Sequence, residues 1–116
     1  MTPHDFAASW IAAWNAHDLD AVLAHYGPDI EFLSPLARRL TGDGRVIGLD
    51  ALRAYWARGL SIHTNLAFDL EAVLEGDDCL TLIYRNERRQ RVAETFEFAT
   101  DGRVRRAFAC YAPLGE

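Results

Sequence analysis

The chain has 116 residues, of which half are apolar and a quarter charged, and carries a formal charge of −5. A chain of this length suits one domain that can bury roughly two-thirds of its unfolded surface, and the composition is that of a folded globular protein rather than a disordered or membrane one. The acidic balance argues against nucleic acid, whose phosphates need a basic face, and no apolar run approaches the roughly 20 residues that span a membrane.

The opening residues Met1-Thr2-Pro3-His4-Asp5 lack the basic start of a secretory signal or transit peptide, so a cytoplasmic location is expected. Thr2 or Asp5 can cap a first helix in which Phe6, Trp10, Ala13, Trp14 and His17 recur at spacings of three and four and share one face. Asn15-Ala16-His17-Asp18 breaks it. Asp18 is placed to cap a second helix over residues 19–26, with Leu19, Val22, Leu23 and Tyr26 buried and Gly27-Pro28 as its stop.

Residues 30–34 read as a strand, and the stretch from Pro35 to Gly48, with Thr41-Gly42-Asp43-Gly44 inside it, reads as a long loop that covers a pocket mouth. A third helix follows over residues 49–60, with Leu52, Tyr55, Trp56 and Leu60 on one face. The period then changes. Residues 66–74, 80–86, 92–98 and 104–111 are strand-like and separated by turn-forming segments, which predicts an antiparallel meander. Helices first and strands afterwards predict an α+β domain spanning residues 1–116, with three N-terminal helices packed on one face of the sheet.

Cys79 and Cys110 fall within strands and far apart, and read as two buried, reduced thiols. His4, His17, His25 and His63 are scattered without metal-ligand spacing, so no metal site is expected. All twelve basic residues are arginine, which reads as compositional bias, and Arg88, Arg89 and Arg91 read as a solvated hairpin cluster.

One residue breaks the pattern. Alternation in Val92-Ala93-Glu94-Thr95-Phe96-Glu97-Phe98 puts Glu94 on the same face as Val92, Phe96 and Phe98. A buried carboxylate costs several kcal/mol unless it is paired or protonated, so Glu94 marks either a pocket or a structural ion pair. Hairpin register leaves open whether Tyr84 and Asn86 or Ile83 and Arg85 stand beside it. The last strand is equally open: either Arg105, Ala107, Ala109 and Tyr111 or Val104, Arg106, Phe108 and Cys110 face inward.

These segments resemble the nuclear transport factor 2-like superfamily in its SnoaL-like branch. The resemblance rests on residues 10–20, on Ile30-Glu31-Phe32-Leu33-Ser34-Pro35, on Gly48 leading into the third helix, and on Glu94-Thr95-Phe96-Glu97-Phe98 with Asp101-Gly102-Arg103-Val104. It implies a cone-shaped fold, a curved sheet enclosing a pocket, and a homodimer. Laid against the ketosteroid isomerases of the same superfamily, Trp10 falls where they have an oxyanion-binding tyrosine, and Ser34 where they have the proton-abstracting aspartate before a proline. Glu94 falls on their second oxyanion-hole acid. The comparison also turns Tyr111 inward and leaves Trp10 and a protonated Glu94 as a pair able to hold a carbonyl oxygen.

The resulting expectation is a cofactor-free isomerase, cyclase or hydratase-like enzyme for a small apolar molecule bearing a carbonyl or hydroxyl group, with Glu94 as general acid/base. Trp10, Trp14, Phe32, Trp56, Phe96 and Tyr111 are the expected walls, and Ser34 and Asn86 the expected hydrogen-bonding groups. A non-catalytic binding protein and a structural homodimer are the alternatives.

Overall fold

The computed structural model describes residues 1–113. Helix α1 (Pro3–Asn15) starts in a reciprocal capping box, where the Thr2 hydroxyl accepts from the Asp5 N–H and the Asp5 carboxylate accepts from the Thr2 N–H, both at 3.0 Å. Phe6, Trp10, Ala13 and Trp14 are buried as their spacing requires. His17 is not part of that face: the helix ends before it, and His17 takes a positive φ of 56° in the exposed turn.

Asp18 caps α2 (Leu19–Leu23), but that helix stops before Tyr26, which already belongs to β1 (Tyr26–Leu33). The expected stop, Gly27-Pro28, lies inside the strand. The register of β1 slips between Tyr26 and Glu31, and in such a bulge the missing N–H of proline interrupts no regular ladder.

The stretch expected to be a loop folds into α3 (Pro35–Thr41) and β2 (Arg45–Ile47). Its signals are ordinary ones. The Ser34 hydroxyl accepts from the Leu36 N–H at 3.1 Å, Pro35 occupies the first turn, and Gly42 ends the helix in the left-handed region at φ 86°. Helix α4 (Leu49–Ile62) follows Gly48, whose φ of 90° and ψ of 154° suit glycine alone.

Strands β3 (Asp69–Glu75), β4 (Cys79–Arg85), β5 (Arg91–Phe98) and β6 (Val104–Tyr111) form the meander. The six-stranded sheet runs β2-β1-β6-β5-β4-β3, and every neighbouring pair is antiparallel except β1 with β6. The helices close over its inner face: Phe6 and Trp10 pack edge-on against Phe96, with ring centroids 5.0 and 5.2 Å apart, and Trp56 meets Phe32 at 5.3 Å.

Register settles the two open faces. Leu82 stands opposite Glu94 and Tyr84 opposite Val92, so Tyr84 and Asn86 are inward, while Ile83 and Arg85 are outward. On β6, Ala107, Ala109 and Tyr111 stand opposite Phe96, Glu94 and Val92. Arg105 departs from that face: it sits at a slip in register, is exposed, and pairs outside with Glu97 at 3.3 Å. Both cysteines are free, but Cys110 is exposed and Cys79 only half-buried, because both fall on the outer side of the sheet rather than in the core.

Candidate functional site

A cavity of about 370 Å³ lies between the helices and the inner face of the sheet. Trp10 and Trp14 of α1, Phe32 of β1 and Tyr55 and Trp56 of α4 form much of its wall, and Leu66 and Phe68 close one side. The 66–68 segment is held there by Asn15, whose amide donates to the Phe68 carbonyl at 3.0 Å and accepts from the Phe68 N–H at 2.7 Å. His17 adds a ring-nitrogen bond to the Leu66 carbonyl at 2.8 Å.

Glu94 is 4% exposed and lines this cavity. Its Oε1 accepts from the Tyr84 hydroxyl at 2.8 Å, and Oε2 has no protein partner among the described residues. No arginine reaches it. Arg85 is bound on the outer face to Glu71 at 3.2 Å and to the Arg89 carbonyl at 2.8 Å, and Arg106 lies 3.9 Å from Glu97 and over the Phe108 ring. Desolvation therefore prevails over the Tyr84 hydrogen bond and pushes the Glu94 carboxyl up to about 7.

Tyr55, Tyr84 and Tyr111 line the cavity with that carboxyl, and Tyr26 is buried against Trp10. Burial raises Tyr26, Tyr55, Tyr84 and Tyr111, and the Glu94 charge raises each of them further, so all four hydroxyls keep their protons. The Ser34 hydroxyl interacts with those of Tyr55 and Tyr111 and partly offsets the rise. The buried polar part of the cavity is thus one carboxyl of intermediate acidity among neutral hydroxyl groups, and Arg39, His63 and Arg88 also line it. Among the described residues no cluster of His, Cys, Asp and Glu could hold a metal ion.

Seven of the nine expected site residues line the cavity: Trp10, Trp14, Phe32, Ser34, Trp56, Glu94 and Tyr111. Two do not. Phe96 is fully buried beneath Phe6 and Trp10, and Asn86 uses its Oδ1 to accept from the Arg88 and Gln90 N–H groups at 3.0 Å, which shapes the β4–β5 turn. The expected pairing of Trp10 with Glu94 on a carbonyl oxygen also fails, because Trp10 Nε1 donates to the Tyr26 hydroxyl at 2.9 Å. Trp14 Nε1 is buried without an acceptor among the described residues.

The sequence reading missed Tyr55, Leu36, Arg39, Leu40 and Arg88 as lining residues. Tyr55 carried a signal, since it lies on the apolar face of α4. Leu36, Arg39 and Leu40 carried one only through α3, whose serine cap and glycine stop went unread, and Arg88 had none.

A sheet of this order, with a buried acid under an aromatic roof, defines a pocketed α+β domain of the nuclear transport factor 2-like type. Residues 7–107 match the family described as the SnoaL-like domain, and the chain belongs to that family. A SnoaL-like protein of unknown function from Burkholderia thailandensis E264 is 39% identical, with a TM-score of 0.93 over 96% of this chain and 94% of that one. TerC, co-crystallized with polyporic acid, has a TM-score of 0.79 at 15% identity over 96% and 92% of the two chains. The epoxide hydrolase/cyclase-like enzyme SalBIII of pyran ring formation in salinomycin has a TM-score of 0.72 at 15% identity over 95% and 90%. At such identities the last two share the fold alone. A search of the curated proteins found no match.

Proposed function

We propose that the cavity binds a small, mainly apolar molecule bearing a carbonyl or hydroxyl group, and that Glu94 is the acid/base of a cofactor-free isomerase, cyclase or hydratase-like reaction. The observation that carries this reading is a carboxyl with no cationic partner, open on Oε2 to a cavity of about 370 Å³. A carboxyl held at about 7 supplies both proton forms near neutrality. The protonated form donates from Oε2 to a ligand oxygen, and the ionised form takes a proton from an adjacent C–H or from water. A small-molecule role is in keeping with the same fold in TerC, co-crystallized with polyporic acid, and in the cyclase-like SalBIII.

The second reading, a binding protein without turnover, is favoured by one observation: Ser34, at the position of the isomerase base, is occupied as the cap of α3. Native mass spectrometry of the purified protein would identify a retained molecule, and transfer of solvent deuterium into that molecule would report proton exchange. The enzyme reading expects exchange by the wild type, and Glu94→Gln to retain the ligand while losing about 100-fold or more of the rate. A retained ligand with no exchange by the wild type selects the binding protein. We also propose a homodimer, in line with the SnoaL-like resemblance, through the outer face of the sheet.

A further inference from the structure

Charge around the cavity runs against the charge of the chain. Acidic residues outnumber basic ones by 17 to 12, yet the lining holds Arg39, Arg88 and His63 and, among the described residues, one carboxylate, Glu94. Arg39 and Arg88 are exposed as well as lining, which places them at the mouth, whereas Glu94 is buried within.

Arg39 projects from the last turn of α3 and has no ion pair or hydrogen bond among the described residues. Arg88 comes from the β4–β5 turn, with Nη2 3.3 Å from Gln90 Oε1 and Nε 4.0 Å from Glu87, a distance at which that pair is weak. Its field already reaches inward, since it lowers the Tyr111 hydroxyl against the effect of burial. Several arginines elsewhere on the surface are tied to carboxylates, as in Arg45–Glu31 at 3.1 Å and Arg53–Asp20 at 2.7 Å, whereas Arg38 and Arg58, outside the cavity, have no ion pair among the described residues. Two guanidinium groups without a close carboxylate border one apolar cavity, and that shared placement, which Arg38 and Arg58 lack, offers an anion a place there.

Resting on the small-molecule reading, we propose that the ligand is an amphiphilic organic anion: its carboxylate, sulfonate or phosphate lies at the mouth between Arg39 and Arg88, and its apolar body enters among the aromatic walls. This gives the ligand a direction. The charged end stays with the arginines in partial contact with water, and an uncharged oxygen on the inner end faces Glu94, whose ionised form an inner anion would oppose.

The test uses two probes with one apolar body, 8-anilinonaphthalene-1-sulfonate and the uncharged N-phenyl-1-naphthylamine, with binding read from quenching of the cavity tryptophans. The sulfonate should bind roughly tenfold more tightly at low ionic strength, a preference that salt near 1 M should largely remove. Arg39→Gln with Arg88→Gln should bring the preference to about twofold or less while the uncharged probe keeps its affinity, which also shows that the variant is folded. Arg38→Gln with Arg58→Gln changes the net charge equally outside the cavity and should leave the preference intact. Equal binding of both probes by the wild type, or equal loss in the two double variants, would overturn the proposal and leave the small-molecule reading standing. If neither probe enters the cavity, both fall together.

Discussion

Among the described residues, Glu94 is the one carboxyl that lines the cavity. With its carboxyl at about 7, against 4.5 for an ordinary glutamate, Glu94 holds its proton in the folded state across a range where the unfolded chain has lost it. Below the unfolded value both states are protonated and the residue has no pH effect. Between the two values the unfolded state binds fewer protons, so stability falls as pH rises, by about 3 kcal/mol once both states are ionised. Glu94→Gln removes that slope. The variant should match the wild type near pH 4 and exceed it by about 3 kcal/mol at pH 8, as read from urea unfolding across the range. A buried ion pair would do the reverse, costing about 3–5 kcal/mol on substitution by stranding its partner. A variant less stable than the wild type at pH 8 would therefore reject an unpaired Glu94.

Elements matter here for what they carry to the cavity. The segment between α4 and β3 has little regular structure, yet it supplies Leu66 and Phe68 to the wall and Phe68 stacks on Trp10 with centroids 5.8 Å apart. Its anchor is the end of α1, where Asn15 makes the two hydrogen bonds that a neighbouring strand would otherwise make. Asn15→Ala should cost about 1–2 kcal/mol. Its more specific mark is faster hydrogen exchange at the Phe68 amide, with the β4 and β5 amides unchanged. Uniform loss of protection, or none at Phe68, would show that the segment is held by packing instead. Helix α3 has the same importance: without its fixed geometry, Arg39 and Leu40 would have no defined place at the mouth.

The whole molecule presents two unlike sides. Inside are the aromatic core and the cavity. Outside, the sheet carries half-buried Thr81, Ile83, Ala93, Thr95 and Phe108 in its middle, with the Thr81 and Thr95 hydroxyls 2.8 Å apart across β4 and β5. Ion pairs from Glu71 to Arg85 and Arg91, and from Glu97 to Arg105, flank that strip. A sheet face open to water on a monomer alternates to polar residues more fully. The proposed homodimer through this face predicts a two-chain mass in sedimentation at micromolar concentration. Ile83→Glu should shift it to a monomer with an intact fold, since the side chain points away from the core. A wild-type monomer under those conditions would reject the interface.

The α+β class, the meander, the caps at Thr2 and Asp18 and the inward place of Glu94 were all legible in the chain, because each follows from short-range periodicity or from a side chain bonding its own backbone. Helix α3 was legible in principle, through a cap at Ser34, Pro35 in the first turn and a stop at Gly42, residue types that also suit a loop. Other features were decided only by tertiary structure. The parallel pairing of β1 with β6 and the bulge that absorbs Gly27-Pro28 depend on strands far apart in sequence. Whether Glu94 has a tyrosine or an arginine beside it turned on hairpin register, since a shift of one residue exchanges Tyr84 for an arginine on the inner face. The withdrawal of Trp10's N–H into Tyr26 and of Asn86 into its own turn likewise required knowing which hydroxyl or amide lay within about 3 Å. A sequence states which groups a residue offers, but the partner that takes each one is chosen by packing.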